Sequence, residues 1–239
     1  MFGVCSAEVV MTKLASLARA HPKPLPAGPV KWPRNRLEEG LLKIIHKCRD
    51  GDVDSLPIKL PALRSLKLGP LHFDYDDYSM DLSEVKIKGL ENLSVEKLSA
   101  SPSQLTVSLQ VYVPTLAIRA SRYHLQGTAF FGMVTINDKG TLKANINNLN
   151  ATAEVQFGAD GSDTVIKRLN LDYLVDDVQA HLSGTSDIIN DVINTMISDM
   201  LNDSSSELME KTEDLIKDMI NDLLRGYTPE KLINIITSV

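Results

Sequence analysis

The sequence predicts an α+β fold in which a long antiparallel sheet with one apolar face is closed by methionine-rich C-terminal helices. Three observations predict it. Between residues 57 and 183 apolar residues recur at every second position, which is typical of strands with one buried face. After residue 187 the apolar period becomes about 3.6 residues, as in helices. A long run of strands followed by a run of helices is the α+β pattern.

The bulk composition is that of a globular protein with a sizeable core. The chain has 239 residues, of which 43% are hydrophobic and 23% charged. A formal net charge of -6 argues against nucleic acid and anionic membrane surfaces as partners, because both favour basic patches. No apolar run approaches the ~20 residues of a membrane span. We therefore expect no stable membrane insertion. We also expect a monomer.

The N-terminal segment reads as separate from the main domain. Residues 6–19 show the spacing of a short helix, and the proline-rich stretch after it is typical of an extended linker. We place a boundary here, with an N-terminal segment over 1–34 and the main domain over 35–239. Glu8 and Lys13 interrupt any apolar signal-peptide region. Either a signal has been removed or replaced, or the protein is not secreted.

The main domain opens with a helix predicted over residues 36–48. Its apolar residues repeat at helical spacing. Asn35 and Glu38 have the spacing of a capping box, in which the two side chains satisfy backbone N–H groups at the start of a helix. The sequence RDGD ends the helix.

The strand region contains recognisable edge and turn signals. Pro57 and Pro61 predict an edge or irregular strand, because proline cannot donate to a sheet ladder. Farther on, the apolar phase changes between Leu82 and Val85. The compositions NDKG at 137–140 and GADGSD at 158–163 predict turns between strands.

The most regular alternation lies around Pro114. Apolar residues occupy odd positions up to Val113 and even positions from Leu116. We interpret this change of phase as a β-bulge at Pro114, since one extra residue returns the apolar face to the interior.

The C-terminal region predicts helices with apolar stripes. One stripe starts at Ile189, a second follows the NDSSS break, and a short last helix begins at Pro229. If the sheet curls around such a helix without filling the space, a lipid-sized cavity results. We expect twelve side chains to line it: Val111, Val113, Leu116, Ile118, Tyr123, Leu125, Phe131, Met133, Ile189, Val192, Ile193 and Met196.

The sequence shows no motif for catalysis, for a metal or for a cofactor. Asp50, Asp52 and Asp54 imitate the start of an EF-hand, but Pro61 stands where the loop needs its glutamate. The five histidines are scattered, and nucleophile-elbow, P-loop and dinucleotide motifs are absent. We therefore expect no catalytic residues, no metal and no cofactor.

Two cysteines and three N-linked glycosylation motifs, or sequons, bear on the cellular compartment of the protein. Cys5 and Cys48 either pair or remain independent thiols, and their spacing leaves both open. The sequons at Asn92, Asn150 and Asn202 matter only in a secretory compartment.

The chain from residue 57 onward resembles the insect takeout and haemolymph juvenile hormone-binding proteins. The resemblance is carried by the order of four segments: LPIKLPALRSLKLGPL, VKIKGLENLSVEKL, LTVSLQVYVPTLAIRASRYHLQGT and DKGTLKANINNLNATAEVQF. It implies a strongly curved antiparallel sheet wrapped around a long C-terminal helix with an apolar tunnel. It also implies extracellular transport of an isoprenoid or fatty molecule. The wide separation of Cys5 and Cys48 departs from the family's close cysteine pair.

Three functions follow from this reading. The first is a non-enzymatic carrier of a small hydrophobic ligand such as juvenile hormone or a fatty acid-like lipid. The second is a fold relative with a filled interior that acts as an interaction, structural or allergen-like protein. The third is an enzyme acting on lipid esters, for which the sequence offers no nucleophile motif.

Overall fold

The computed structural model describes residues 33–75, 78–129, 133–202 and 207–239. The short helix expected over 6–19 and the proline-rich linker lie outside the described residues, so the division at residue 34 stays a prediction.

Eight strands of the described residues form one antiparallel sheet. Their spatial order is β1-β3-β5-β6-β7, with β2 beside β3, β4 beside β5 and β8 beside β6. The strands span the following ranges: β1 Leu66–Leu68, β2 Leu71–Tyr75, β3 Tyr78–Lys88, β4 Ser94–Ser101, β5 Thr106–Ala129, β6 Val134–Asp160, β7 Asp163–Leu174 and β8 Asp177–Leu182. Pro57 and Pro61 lie outside the strands, so the edge strand predicted for their segment is corrected to the three residues of β1 that follow it.

Among the described residues, one helix precedes the sheet and three follow it. They are α1 Arg36–Asp50, α2 Asp187–Asn202, α3 Glu207–Leu224 and α4 Pro229–Ser238. Helix α3 contacts both β7 and β2, which lie towards opposite sides of the strand order. The sheet must therefore curve around the C-terminal helices. The predicted α+β class is confirmed, with three C-terminal helices in place of a single long one.

The start of α1 is tied to the edge strand β4. The Asn35 side chain accepts a hydrogen bond from the Glu38 amide at 3.0 Å, as expected of a helix cap. The buried Glu38 carboxyl group accepts from the amides of Arg34 at 2.6 Å and Ala100 at 3.1 Å. The predicted capping box is thus corrected in its second half, because Glu38 serves a neighbouring strand instead of the Asn35 amide.

In the part of the chain that the structure describes, two apolar clusters form the core. The strand cluster lies between the sheet and α2 and consists of Leu82, Val85, Ala120, Tyr123, Leu125, Ile136, Leu142, Leu182 and Ile193. The helix cluster joins α1, α3 and α4 to β4 and consists of Leu37, Ile44, Cys48, Ala100, Leu224, Leu232 and Ile236.

The strands β5 and β6 change their inward face at the same level. Pro114 and Asn148 lie opposite each other between the pairs Val113–Leu149 and Thr115–Asn147, so the register is the same on both sides. Asn148 has a φ of 54°, a left-handed value that turns the strand. Both strands therefore change their inward face at the same level. The predicted bulge at Pro114 is corrected, because Pro114 and Asn148 change face together and neither strand has an extra residue there.

The effect of this switch is visible in the packing. On β5, Val107 packs against the helix cluster, whereas Ile118, of opposite parity, packs against the strand cluster. On β6, Phe157 and Leu142 divide in the same way. Each of the two long strands thus contributes one half of its length to the helix cluster and the other half to the strand cluster.

A second change of phase lies farther along β5. The register with β6 shifts between Ala120 and Tyr123, which identifies a bulge there. On the neighbouring strand β3, Glu84 has a φ of 54°. This residue separates Leu82 from Val85, where the sequence already showed a change of apolar phase.

One predicted turn is wrong and the other is confirmed. Residues 137–140 continue β6, paired with 123–126 of β5. Gly140 is needed there for close approach, because a Cβ would collide with the Ser183 carbonyl oxygen. The turn in GADGSD is present, since Asp160 pairs with Asp163.

Candidate functional site

The strand cluster is the region to which sequence analysis assigned the ligand. It is walled by β3, β5, β6 and β8 on one side and by α2 on the other. The side chains of Leu125, Leu182 and Ile193 are 0% exposed. Around them, the half-buried side chains of Ile118 and Ile189 pack against the cluster.

The structure brings together five of the twelve expected lining residues. Tyr123, Leu125 and Ile193 are members of the strand cluster, and Ile118 and Ile189 pack against it.

The other expected lining residues lie in different settings. Val113 is buried outside both clusters, and Val111 and Leu116 are half-buried. Three more carry no description: Phe131 lies outside the described residues, and the side chains of Val192 and Met196 are not described within α2.

Met133 does not face the interior. Its side chain is 77% exposed, directly before β6 begins. The strand pattern extended the alternation through residues 130–133, whereas the described pairing of β5 and β6 ends at Ala129 and Val134. A residue beyond the last ladder pair no longer follows the strand's alternation of faces, which is why the sequence placed Met133 inside.

The Tyr123 hydroxyl has a structural partner. It donates a hydrogen bond of 3.0 Å to the Ser183 carbonyl oxygen. Burial raises the pKa of Tyr123, and the nearby Asp138 carboxylate adds to the effect. The phenol therefore stays neutral and anchors the start of the loop between β8 and α2.

Thr185, in the same loop, carries a buried hydroxyl without a hydrogen-bond partner among the described residues. Such a group is uncommon in a native fold, because leaving it unpaired costs free energy. Sequence reasoning missed it, since a single threonine in a loop carries no signal.

Helix α2 is fastened to the outer edge of β8 by two asparagines. The Asn190 carboxamide accepts from the Leu182 amide at 2.8 Å and donates to the Leu182 carbonyl at 3.3 Å. Asn194 makes the same pair of bonds to Ala180, at 2.6 and 2.9 Å. These side chains replace the missing neighbouring strand and fix one wall of the strand cluster.

A histidine on β2 lies between two carboxylates. The His72 Nδ1 atom is 2.7 Å from Asp81 Oδ1, and its Nε2 atom is 3.0 Å from Asp74 Oδ2. Hydrogen bonding to Asp81, and then to Asp74, raises the pKa of His72. All three groups are exposed, which makes this a surface ion cluster. Among the described residues no group of His, Cys, Asp or Glu could hold a metal ion.

Cys48 is buried in the helix cluster. Burial raises the pKa of its thiol, which disfavours the thiolate form. Cys5 lies outside the described residues, so the pairing of the two cysteines stays open.

An open groove of about 400 Å³ lies on the surface of α4. It is lined by Thr228, Glu230, Lys231, Asn234, Ile235 and Ser238. None of these belongs to the strand cluster, so the groove is distinct from the expected interior. In the described part of the chain, no helix is long and apolar enough to cross a membrane.

Comparison with known proteins agrees with this architecture. Residues 13–234 match the family model described as haemolymph juvenile hormone binding protein. The chain is similar to the crystal structure of Epiphyas postvittana Takeout 1, with a TM-score of 0.52 and 15% identity over 84% of this chain and 88% of that chain. Lipopolysaccharide binding protein gives a TM-score of 0.37 and 15% identity over 81% of this chain and 38% of that chain. No curated protein matches the chain.

Proposed function

The chain belongs to the haemolymph juvenile hormone binding protein family, and on that premise we propose that it is a non-enzymatic carrier of a small hydrophobic molecule. The ligand is an isoprenoid of the juvenile hormone kind or a fatty acid-like lipid, held in an internal tunnel. The observation that carries the proposal is the family match, which extends over residues 13–234. The one-sided apolar sheet closed by α2 supports it.

The tunnel is proposed to run along the strand cluster. Ile118 and Ile189 are half-buried at its border, so their side chains retain surface that a guest can cover. The buried residues Tyr123, Leu125 and Ile193 would form its wall. We omit Met133 from this lining because of its exposure.

The energetics set the size of the guest. Burying about ten CH₂ groups gains roughly 8 kcal/mol before costs. Association costs at least about 4 kcal/mol against that gain. Submicromolar binding therefore requires a longer chain or a polar group of the ligand that is paired by the protein.

Thr185 is the proposed partner for such a polar group. Its hydroxyl is buried and has unused hydrogen-bonding capacity. A ligand ester, epoxide or carboxyl oxygen could accept from it. Thr185→Val is expected to leave stability unchanged or raise it, because it removes an unpaired polar atom, and to weaken binding of an oxygenated lipid about tenfold, a single hydrogen bond's worth.

Displacement of an apolar fluorescent dye tests the carrier function. We expect about one dye site per chain, from which juvenile hormone or a long-chain fatty acid displaces the dye. Ile118→Trp should weaken dye binding at little cost in stability, because the indole occupies tunnel volume. Gln126→Trp, on an exposed position of the same strand, is the matched control.

A filled interior is the second candidate, and one observation favours it. Leu125, Leu182 and Ile193 are completely covered by protein atoms. In a close-packed core Ile118→Trp would cost about 1–3 kcal/mol by overpacking. A stability loss of that size, with dye bound only after partial unfolding, would contradict the carrier proposal.

The carrier is proposed to be a secreted monomer. The family's name places its members in haemolymph, which supports an extracellular location. Light scattering of the purified chain checks the monomer. Mass spectrometry of protein purified from its native source would identify a co-purifying lipid, and turnover of that lipid would favour an enzyme instead.

A further inference from the structure

The turn between β3 and β4 presents an asparagine of special sequence context. Asn92 is followed by Leu93 and Ser94, the acceptor pattern for N-linked glycosylation. Asn92 is the last residue of a 3-10 turn, and β4 begins two residues later at Ser94. Its side chain is exposed. An exposed loop is where such an acceptor can carry a sugar.

The backbone of this turn is fixed by its neighbours. Gly89 has a φ of 102°, and a Cβ there would collide with the Thr115 carbonyl oxygen of β5. The Gly89 amide donates to the Glu91 carboxylate at 2.7 Å, and the Asn92 amide donates to the Gly89 carbonyl at 3.0 Å. Among the described residues no hydrogen bond involves the Asn92 carboxamide. The turn therefore holds the carboxamide in solvent with its nitrogen available.

The other described sequon is placed differently. Asn150 lies within β6, paired with Tyr112 of β5 on one side and with Leu174 of β7 on the other. It is half-buried in the body of the sheet. A branched sugar on this residue would have to spread over both neighbouring strands. The side chain of Asn202, the third acceptor, is not described.

We propose that Asn92 carries an N-linked glycan, an inference that rests on the secretion included in the proposed function. In the reaction the Asn92 carboxamide nitrogen attacks the anomeric carbon of a lipid-linked oligosaccharide pyrophosphate. The N–C bond forms as the C–O bond to the pyrophosphate breaks. The pyrophosphate leaves with the bonding electron pair, and the nitrogen loses one proton. Because Asn92 is exposed, the sugar requires no movement of the fold.

The test expresses the full chain behind a signal peptide in insect cells. A glycosidase that releases the glycan converts its asparagine to aspartate, which peptide mass spectrometry locates. We expect this conversion at Asn92, and its loss in both Asn92→Gln and Ser94→Ala. Asn150→Gln is the matched control and should leave the glycan mass on Asn92 unchanged.

Two outcomes would overturn the proposal. One is an Asn92 peptide that is unmodified in protein secreted by these cells. The other is a glycan mass that persists in Asn92→Gln and disappears in Asn150→Gln. The dye assay on enzymatically deglycosylated protein is independent of both. Failure of dye binding would count against the carrier function alone, and failure of glycosylation would count against Asn92 alone.

Discussion

Replacing Asn190 by leucine removes one of the two asparagine side chains that hydrogen-bond α2 to β8. Leucine has a similar size and keeps the helix, but it can neither accept from the Leu182 amide nor donate to the Leu182 carbonyl. Leu182 is 0% exposed, so water cannot take the place of the carboxamide. Two backbone groups are thereby left buried and unpaired.

The size of the effect follows from these two groups. Each unpaired buried group costs about 1–3 kcal/mol. The added apolar surface of leucine returns about 1–2 kcal/mol. The two groups together cost about 2–6 kcal/mol, so the net loss in the free energy of unfolding is about 1–4 kcal/mol. In a chain of this length that lowers Tm by about 2–15 °C.

Denaturant unfolding measures the loss, with Asn234→Leu as the matched control. Asn234 is also on a helix, but it is exposed, so its replacement should change stability by less than about 0.5 kcal/mol. If Asn190→Leu changed stability as little as this control, the β8 edge would not depend on Asn190. The assignment of the asparagines as edge partners would then be refuted.

Three further predictions concern Glu38, Gly89 and the pair of His72 and Asp81. Glu38→Ala should cost about 1–3 kcal/mol by orphaning the two amides that the carboxyl group serves, and Glu38→Gln should cost less because one acceptor oxygen remains. Gly89→Ala should cost about 2–4 kcal/mol through its collision with a β5 carbonyl, well above Gly161→Ala, which meets no neighbour; thermal unfolding of both compares them. Asp81→Asn should lower the pKa of His72 in an NMR titration. The pKa of His72 in the folded protein lies above the usual 6.5. The stability that Asp81 provides is therefore full below pH 6.5 and is lost as the pH rises through the folded pKa. This variant should thus be more destabilised in mildly acidic than in alkaline solution.

Much of the sheet could be predicted because one of its faces is apolar. The apolar phase changes at Pro114 and between Leu82 and Val85 correspond to real changes of face in β5 and β3. The sequence could not show that Asn148 turns β6 at the same level. Asparagine takes a left-handed φ more readily than most residues, but residues 145–150 contain four asparagines, and only the pairing reveals that Asn148 faces Pro114.

The candidate site was predictable only in part, for a different reason. Periodicity marks side chains that avoid water, and it correctly grouped Tyr123, Leu125 and Ile193. Periodicity does not mark polar side chains that form hydrogen bonds with backbone groups of a distant strand. Asn190 and Asn194 are four residues apart on α2, beside the apolar stripe, yet their partners on β8 depend on how the helix docks. Met133 was misplaced because alternation was extended past the end of the ladder.

The matched turn at Pro114 and Asn148 has a consequence for how the molecule can vary. Since the two halves of β5 and β6 support separate clusters, changes in the free energy of unfolding caused by substitutions in one cluster should add to those in the other. Side chains of the strand cluster can then be exchanged while the helix cluster maintains the fold. Pro114 and Asn148 thus divide two continuous strands into halves whose side chains can change independently.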